Sequence, residues 1–280
     1  MIKSLMVCTD GSDPAAIAVA YGIHLAHGLK ARLSGCHVLD SRTLEGPLLA
    51  DISGLLGAQP YADQVNQIRQ LLEHRGTAIL EAFSKDAQAE GLDAECLLRT
   101  GHPARVILEE EACAELVLLG QRGEHAEQTG EMIGSVAERV IRHSIKPCLV
   151  TPAAFRPIHR ILVAFDGSDV SSKALHEGVE LALALSLPMV LLTVAEEHGR
   201  ERARAIVEDG MRLVRAHEGV AAQLVVEGRA DHVILTQAEE LGCDLIVVGA
   251  YGHSRIREMI LGSTTQNLVA RAHCAVLLVR

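Results

Sequence analysis

Short, continuous apolar runs alternate along this chain with longer segments in which apolar residues recur at helical spacing. Runs such as ILVAF, VLLTV, LIVVG and AVLLV contain no polar alternation, which is typical of strands buried on both faces of a parallel sheet. Segments such as AIAVAYGIHLAHGL and KALHEGVELALAL indicate helices between the runs. The pattern therefore predicts a doubly wound α/β fold built from β-α-β-α-β-α-β-α-β units.

The whole pattern occurs twice. SLMVCTDGSD at Ser4–Asp13 is echoed by RILVAFDGSD at Arg160–Asp169, and LLRTGHPARVI, from Leu97, is echoed by LVVEGRADHVI, from Leu224. AELVLLG and CDLIVVG, and then SIKPCLVTP and AHCAVLLVR, match in the same order. We interpret the chain as a tandem repeat of two five-stranded parallel-sheet domains, residues 1–152 and 157–280.

One segment belongs to the first repeat alone. Residues 41–64, SRTLEGPLLADISGLLGAQPYADQ, lie between the second predicted strand and the next helix. Gly and Pro favour a surface loop that packs its own side chains. The apolar stretch PLLADISGLL also suits a lid or a partner surface, because apolar loops usually cover something. Both interpretations stay open from the sequence.

Composition narrows the class of protein. The 280 residues carry a formal net charge of −10, which disfavours a protein that coats nucleic acid or anionic membrane. No apolar stretch approaches the length of a membrane span, and the N-terminus lacks the features of a signal peptide. Seven cysteines form no CxxC pair, and Cys8, Cys36, Cys148 and Cys274 stand in apolar runs. We therefore expect a cytoplasmic protein with buried, reduced thiols.

A glycine-rich phrase follows the fourth predicted strand of the second repeat. Its pattern is G-x2-G-x9-G-S-T, formed by Gly249, Gly252, Gly262, Ser263 and Thr264. Glycine lets a ligand approach the main chain closely, and the Gly-Ser-Thr opens a predicted helix whose free N–H groups favour a phosphate. Ser263 is also a candidate N-cap, a role that uses the same geometry.

The residues between these glycines are basic on balance. His253, Arg255 and Arg257 outnumber the single acid Glu258, and Ser254 stands among them. Strand, spacing, helix start and basic loop together indicate a phosphate site. The fourteen histidines of the chain, by contrast, show neither HxxxH nor HExxH spacing, so we expect no metal site.

The phrase Asp-Gly-Ser-Asp follows the first strand of each repeat. It predicts a turn in which Ser or Asp caps the next helix, with Asp10 and Asp166 as ligand candidates. The charged segment His198–Gly219 predicts an amphipathic helix with one solvated face.

These motifs resemble those of the universal stress protein family in its tandem-domain form. The resemblance rests on the strand-Asp-Gly-Ser starts and the two G-x2-G…G-S phrases, and it covers essentially the whole chain. It implies a fold like that of the adenine nucleotide alpha hydrolases, with strand order 3-2-1-4-5 in each domain. It also implies that Cys148–Thr151 and Ala275–Val279 pair with each other or with a second chain, giving an intramolecular pseudo-dimer or a homodimer.

Family members with this glycine pattern bind ATP, which we expect to be accompanied by Mg²⁺. The resemblance implies that Asp166 and the backbone of Gly249 hold the ribose and that the backbone of Val194 contacts adenine. The phosphates would be cradled by the remaining motif positions, Gly252, Gly262, Ser263 and Thr264. His253 and Arg255 would add positive potential beside them.

The first repeat departs from the pattern. Its corresponding positions are Asp10, Val38, Gly120, Gly123, Gly134 and Ser135. Ten residues rather than nine separate Gly123 from Gly134, and they carry Glu124, Glu127 and Glu131 without any Arg or Lys. At an effective dielectric of about 20, each close like-charged pair costs on the order of a few kcal/mol. We therefore predict one strong ATP site, in the second repeat, and a weak or repurposed site in the first.

The leading function is that of an ATP-binding regulatory protein of the stress response. Two alternatives remain: an enzyme of related fold that hydrolyses ATP or transfers its nucleotidyl group, and a nucleotide-free dimeric scaffold that binds partners. The chain lacks a P-loop and the HIGH-type and SGGxDS-type motifs of such enzymes. No evident catalytic base accompanies the Gly-Ser-Thr, so we expect at most slow ATP hydrolysis.

Overall fold

A computed structural model describes residues 2–42, 58–123, 133–195, 199–250 and 262–280 of the chain. In the long helix that begins at Ala58, side chains are described from residue 66 onward. The strands of both repeats join into one ten-stranded sheet with helices on both faces.

In its described residues the first repeat contains five strands and four α-helices. In chain order they are β1 Ser4–Cys8, α1 Asp13–Leu29, β2 Arg32–Asp40, α2 Ala58–Ala89, β3 Ala94–Gly101, α3 Pro103–Glu110, β4 Leu116–Gly120, α4 Ser135–His143 and β5 Cys148–Thr151, with a short 3-10 turn at Glu111–Cys113.

The second repeat has the same order of elements. They are β6 Ile161–Ala164, α5 Asp169–Leu185, β7 Met189–Ala195, α6 Arg200–Ala216, β8 Ala221–Glu227, α7 Ala230–Glu240, β9 Leu245–Gly249, α8 Ser263–Arg271 and β10 Ala275–Val279. The sheet order is β3-β2-β1-β4-β5-β10-β9-β6-β7-β8. Each half therefore has the predicted order 3-2-1-4-5, and the predicted fold class is confirmed.

The two halves meet at their last strands. β5 and β10 pair antiparallel, with Val150 opposite Val276 and Cys148 opposite Leu278, whereas the other strand pairs of the sheet are parallel. Pairing covers two apolar edges that would otherwise invite association. The expectation that these strands pair with each other is confirmed within a single chain.

The first helix of each repeat starts at the predicted cap. Ser12 Oγ accepts a hydrogen bond from the N–H of Ala15 at 3.4 Å, and Ser168 Oγ accepts one from the N–H of Ser171 at 3.1 Å. Each aspartate two residues earlier braces the turn, since Asp10 Oδ1 and Asp166 Oδ1 accept from the serine N–H groups at 3.0 and 2.9 Å. The capping interpretation is confirmed, and the turn fixes both aspartates just beyond the strand ends.

A large and a small residue exchange places between the repeats. Gly35 on β2 lies under the ring of Phe83 on α2: a Cβ added to Gly35 would meet ring carbons at 2.5 Å. The register of β1 with β2 and of β6 with β7 makes Leu191 the equivalent of Gly35. There the facing helix carries Gly210, whose added Cβ would meet Leu191 at 2.8 Å. Both repeats thus fill the same gap between sheet and helix with opposite partners.

The insertion of the first repeat is helical at its end. Helix α2 begins at Ala58, so residues 58–64 are part of a helix and not of a loop. Pro60 is compatible with this start, because proline is tolerated in the first helical turn. Residues 43–57 lie outside the described part, and the choice between loop and lid stays a prediction for them.

Three smaller expectations are also answered. The charged segment of the second repeat forms helix α6, with Ala203, Val207 and Val214 buried, as predicted. The four cysteines assigned to apolar runs are buried, and burial raises the pKa of Cys148 and Cys274 to about 12. Over the residues that the structure describes, no helix combines the length and apolarity needed to cross a membrane.

Candidate functional site

A cavity of about 440 Å³ opens in the first repeat at the carboxyl ends of β1, β2 and β4. Ligands of doubly wound sheets bind at this edge, where the strand order reverses. All six positions predicted for the first repeat line it: Asp10, Val38, Gly120, Gly123, Gly134 and Ser135. The sequence motifs, which are up to 125 residues apart, therefore converge on one space.

Two glycines of the cavity wall are explained by atoms that lie too close to the backbone for a side chain. A Cβ added to Gly120 would lie 2.9 Å from the carbonyl oxygen of Pro14, at the start of α1. A Cβ added to Gly123 would lie 2.9 Å from Asp10 Oδ2. A side chain at Gly120 would collide with the start of α1, and one at Gly123 would collide with Asp10, the residue predicted to hold the ribose. Glycine at both positions therefore keeps the cavity open.

The glycine loop is closed at its base. The N–H of Gly134 donates to the carbonyl of Gln121 at 3.0 Å, and a Cβ on Gly134 would be 3.4 Å from the backbone N of Gly123. The additional loop residue is expected to displace Gly134 and Ser135 relative to Gly123. This stays a prediction, because Gly252, the position needed for the comparison in the second repeat, lies outside the described residues.

The cavity wall is mixed in character. Apolar side chains such as Leu72, Ile107 and Leu119 line it together with polar groups. His37 is buried there, and its Nδ1 lies 2.7 Å from the carbonyl oxygen of Thr9. Because a carbonyl only accepts, Nδ1 carries the proton and Nε2 is left as an acceptor in the neutral ring. An apolar surface with a few fixed polar groups suits a heterocycle linked to a charged chain.

Three arginines that no sequence motif predicted line the same cavity. They are Arg42 after β2, Arg75 on α2 and Arg122 between the two glycines. Arg122 was visible in the motif GQRG itself, whereas Arg42 and Arg75 come from the insertion and from a helix that shows no motif. The described wall is therefore more basic than the motif predicts. Glu124, Glu127 and Glu131 lie outside the described residues.

One of these arginines is bound to a carboxylate. Arg42 Nε donates to both oxygens of Asp40, at 2.9 and 3.0 Å. Burial would raise the pKa of Asp40, but the hydrogen bonds and charge of Arg42, with a contribution from His102, hold that pKa below its ordinary value. The pair fixes the guanidinium in the wall of the cavity.

The second repeat presents the equivalent frame. Asp166 follows β6, Val194 stands near the end of β7 and Gly249 ends β9. A Cβ on Gly249 would lie 3.1 Å from the backbone N of Ser171 on α5, which matches the tight approach at Gly120. The other predicted residues, Gly252, His253 and Arg255, lie outside the described part, as does Arg257.

At the start of α8 the structure corrects one assignment. Gly262 is the N-cap residue, and Ser263 and Thr264 are the first two helical residues. The prediction of Ser263 as N-cap is therefore wrong. Glycine takes the extended cap conformation, and Gly134 does the same at α4, so the helix N–H groups beyond these glycines lack a side-chain cap in both repeats.

Metal ligands do not gather in the described ranges. No group of three or more His, Cys, Asp or Glu side chains there is arranged to hold a metal ion.

Comparison with known proteins gives the family. The model of the universal stress protein family matches residues 1–152 and 157–280. A universal stress protein of Synechocystis sp. is 30% identical over 288 residues, covering all of both chains. A universal stress protein of Bacillus subtilis is 33% identical over 146 residues, 44% of this chain and 99% of that protein. The chain belongs to the universal stress protein family.

The fold is shared with solved structures. A universal stress protein from Archaeoglobus fulgidus matches with a TM-score of 0.74 at 19% identity, over 98% of this chain and 97% of that one. A second structure, from Pseudomonas aeruginosa, matches with a TM-score of 0.67 at 15% identity, over 99% and 92%. These likenesses extend over both repeats.

Proposed function

We propose that this protein binds ATP and acts as a nucleotide-dependent regulator in a stress response. The observation that carries the proposal is the convergence of all six predicted first-repeat positions on one cavity of about 440 Å³. That volume falls within the range of small-molecule sites. The mixed wall, with apolar side chains beside arginines, suits adenine at one end and phosphates at the other.

Each part of the nucleotide has a candidate partner. In the first repeat the backbone at Val38 would contact adenine, Asp10 would hold the ribose, and Gly120, Gly123, Gly134 and Ser135 would surround the phosphates. Asp166, Val194, Gly249 and Gly262 offer the same frame in the second repeat. Mg²⁺ would be bound mainly through the phosphates, as is usual for this ion.

We further propose that the second repeat holds the tighter ATP site. Its loop supplies Arg255 and Arg257 against one acid, whereas the first loop supplies three glutamates. The arginines that line the first cavity offset part of that charge, so the first repeat keeps a weaker site and does not lose binding altogether. Two sites of unequal affinity are the expected behaviour.

Regulation rather than turnover is the proposed outcome of binding. We propose at most slow hydrolysis, with His253 contacting phosphate rather than acting as a base. Turnover that reaches about 1 s⁻¹, toward the low end of ordinary enzymes, and is lost in His253→Ala would favour the enzyme instead.

The experiment that tests binding has two parts. Nucleotide released from the protein as purified is identified by chromatography, and the stripped protein is then titrated with Mg-ATP, with Mg-GTP as control. We expect adenine nucleotide in the first part and selective ATP binding in the second. If no nucleotide is released in the first part and no ATP binds in the second, the result favours the alternative of a scaffold that binds partners without nucleotide.

A further inference from the structure

A buried carboxylate bridges two helices of the second repeat. Asp231, on the first turn of α7, is only 5% exposed. Its Oδ1 accepts from Arg229 Nε at 2.6 Å and from the N–H of His232 at 2.9 Å, and its Oδ2 accepts from Asn267 Nδ2 on α8 at 2.8 Å. Arg229 above all holds the pKa of Asp231 below its ordinary value. The start of α7 and the first turns of α8 thus share one fixed negative charge.

The first repeat lacks this carboxylate. Gly101 ends β3 and Gly228 directly follows β8, and the two glycines have similar φ angles of +151° and +143°. A Cβ added to either glycine would meet a valine at 2.8 Å, so the two positions are equivalent. Counting onward from them, Ala104 occupies the position of Asp231 and His102 that of Arg229. Helices α4 and α8 both have nine residues after a Gly cap, which makes Arg139 the equivalent of Asn267. In the first repeat the methyl group of Ala104 therefore stands where the second repeat has a carboxylate, and the neighbouring positions carry the basic side chains of His102 and Arg139.

A small cavity of about 30 Å³ lies at this position. It is lined by Arg42, His102, Ala104, Ser135 and Arg139, among others. About 10 to 15 Å³ of such volume admits one water-sized group, so an oxygen atom of a ligand fits. Arg42 and Ser135 also line the main cavity, so the two spaces are neighbours along one wall.

The electrostatics of the small cavity favour an anion. Arg139 brings one positive charge, and Arg42 brings a second that is shared with Asp40, its partner in the wall of the main cavity. His102 adds an imidazole to the lining. The first turns of α3 and α4 open beside it, and neither His102 nor Gly134 caps its helix through a side chain. Helix N-termini add positive potential to that of the arginines.

We propose that this position binds a phosphate group, which takes the place that Asp231 fills in the second repeat. The inference rests on the proposed function in one respect: the phosphate is the terminal phosphate of a nucleotide that is bound in the main cavity. Inorganic phosphate is the other source of the same chemistry. In the second repeat the carboxylate of Asp231 already stands at this position, where Arg229 and Asn267 bind it.

The most direct variant restores that carboxylate. Ala104→Asp places an acid where Asp231 stands, and Ala104→Asn adds nearly the same volume without charge. Since Ala104 is buried, a surface variant guards against misfolding: Arg139→Gln removes a lining charge, Arg139→Lys keeps it, and Arg105→Gln, on the exposed side of α3, is the matched control. All variants are made in the full chain that carries Gly252→Asp, so that binding reports on the first repeat.

Calorimetric titrations with ATP, AMP and inorganic phosphate separate the outcomes. Loss of ATP affinity by tenfold or more in Ala104→Asp and Arg139→Gln, with AMP unaffected, supports the subsite as the end of a nucleotide. Binding of inorganic phosphate that only those two variants lose supports it with free phosphate as the source, even if no nucleotide binds. Equal effects of Ala104→Asp and Ala104→Asn, or no effect of Arg139→Gln on any ligand, would overturn the proposal.

Discussion

The side chain of Gln121 binds the end of a helix that belongs to the other repeat. Its Nε2 donates to the carbonyl of Val269 at 2.7 Å and to that of Ala270 at 2.8 Å. The carbonyl of Gln121 accepts from Gly134, so this residue joins the glycine frame of the first cavity to the last turn of α8. Ala250 takes its place in the second repeat, and an alanine side chain cannot donate. In the other direction a different residue makes the contact, since Arg280 Nη1 donates to the carbonyls of Arg142 and Ser144 at the end of α4, at 3.4 and 3.2 Å.

Removal of this link is expected to destabilise the protein. Gln121→Ala leaves two carbonyls of α8 without their donor, and we predict a loss of about 1 to 2 kcal/mol in the free energy of unfolding. Gln121→Glu, of nearly equal size but with no N–H group, should lose at least as much. Urea denaturation measures both. Gln88→Ala, on the exposed face of α2, is the control, and stability equal to it in both variants would contradict the role of Gln121.

Much of the fold could be predicted because it is periodic. Apolar runs repeated in the same order predict ten strands and the junction between the repeats. The glycine spacing likewise predicts that Gly120, Gly123 and Gly134 line the first cavity, because glycine is required where backbones approach closely. The other lining positions, Asp10 and Val38, are implied by the family resemblance. Asp10 and Gly123 are 113 positions apart, yet both follow strands that end at the same edge.

Other features depend on contacts that no motif encodes. Arg75 reaches the cavity from the middle of α2, and Arg42 is held by Asp40 after β2, so neither position belongs to a repeated phrase. The closure of Gly134 on Gln121 is a backbone hydrogen bond that any residue pair can make. The exchange of Ala104 for Asp231 is visible in the sequence, but its meaning depends on the contacts of Asp231 with Arg229 and Asn267.

The packing of Phe83 over Gly35 leads to a double-variant test. Gly35→Ala should destabilise the protein by about 1 to 3 kcal/mol because the ring cannot move freely in a filled core. Phe83→Leu alone should also destabilise, through the cavity it leaves. The double variant should lose less free energy of unfolding than the two single variants added together, because the smaller leucine side chain makes room for the new methyl group. Strict additivity in the free energies of unfolding would show that the two residues do not share this space.

A histidine near the junction between the repeats predicts a dependence of stability on pH. The N–H of Ile158 lies 3.4 Å from His24 Nε2, which accepts only while unprotonated, and the ring of Phe155 packs against the imidazole at 5.8 Å. Burial, followed by the charges of His159 and His27, lowers the pKa of His24. The folded state therefore binds fewer protons than the unfolded state below about pH 6.5.

Stability should accordingly fall as the pH drops from about 6.5 through the lowered pKa of His24. His24→Gln keeps an acceptor without a titrating group and should flatten that part of the dependence. Urea midpoints at pH 7.5 and 5.5 measure it, with His143→Gln, an exposed histidine on α4, as the control. An unchanged pH dependence in His24→Gln would show that His24 does not couple protonation to folding.

The proposed function requires that both repeats bind nucleotide, with unequal affinity. Isothermal titration of the stripped full chain with Mg-ATP tests this in the wild type, in Gly252→Asp and in Gly123→Asp. The control is Gly91→Asp, which adds the same charge just after α2, where an added Cβ meets nothing within 4 Å. Gly91 has a φ of +74°, a left-handed conformation that aspartate adopts at a modest cost in stability, so we expect the control to lose some stability while both sites stay intact. Each test variant blocks close backbone approach in one repeat and adds a carboxylate, which at Gly123 would stand beside Asp10.

We predict a tight site with a stoichiometry near one that Gly252→Asp abolishes, and a weaker site that Gly123→Asp abolishes while leaving the tight site nearly unchanged. The Gly91→Asp control should bind like the wild type. Two equal sites, loss of the tight site through the Gly123 change alone, or no binding of ATP by the wild type would contradict the account.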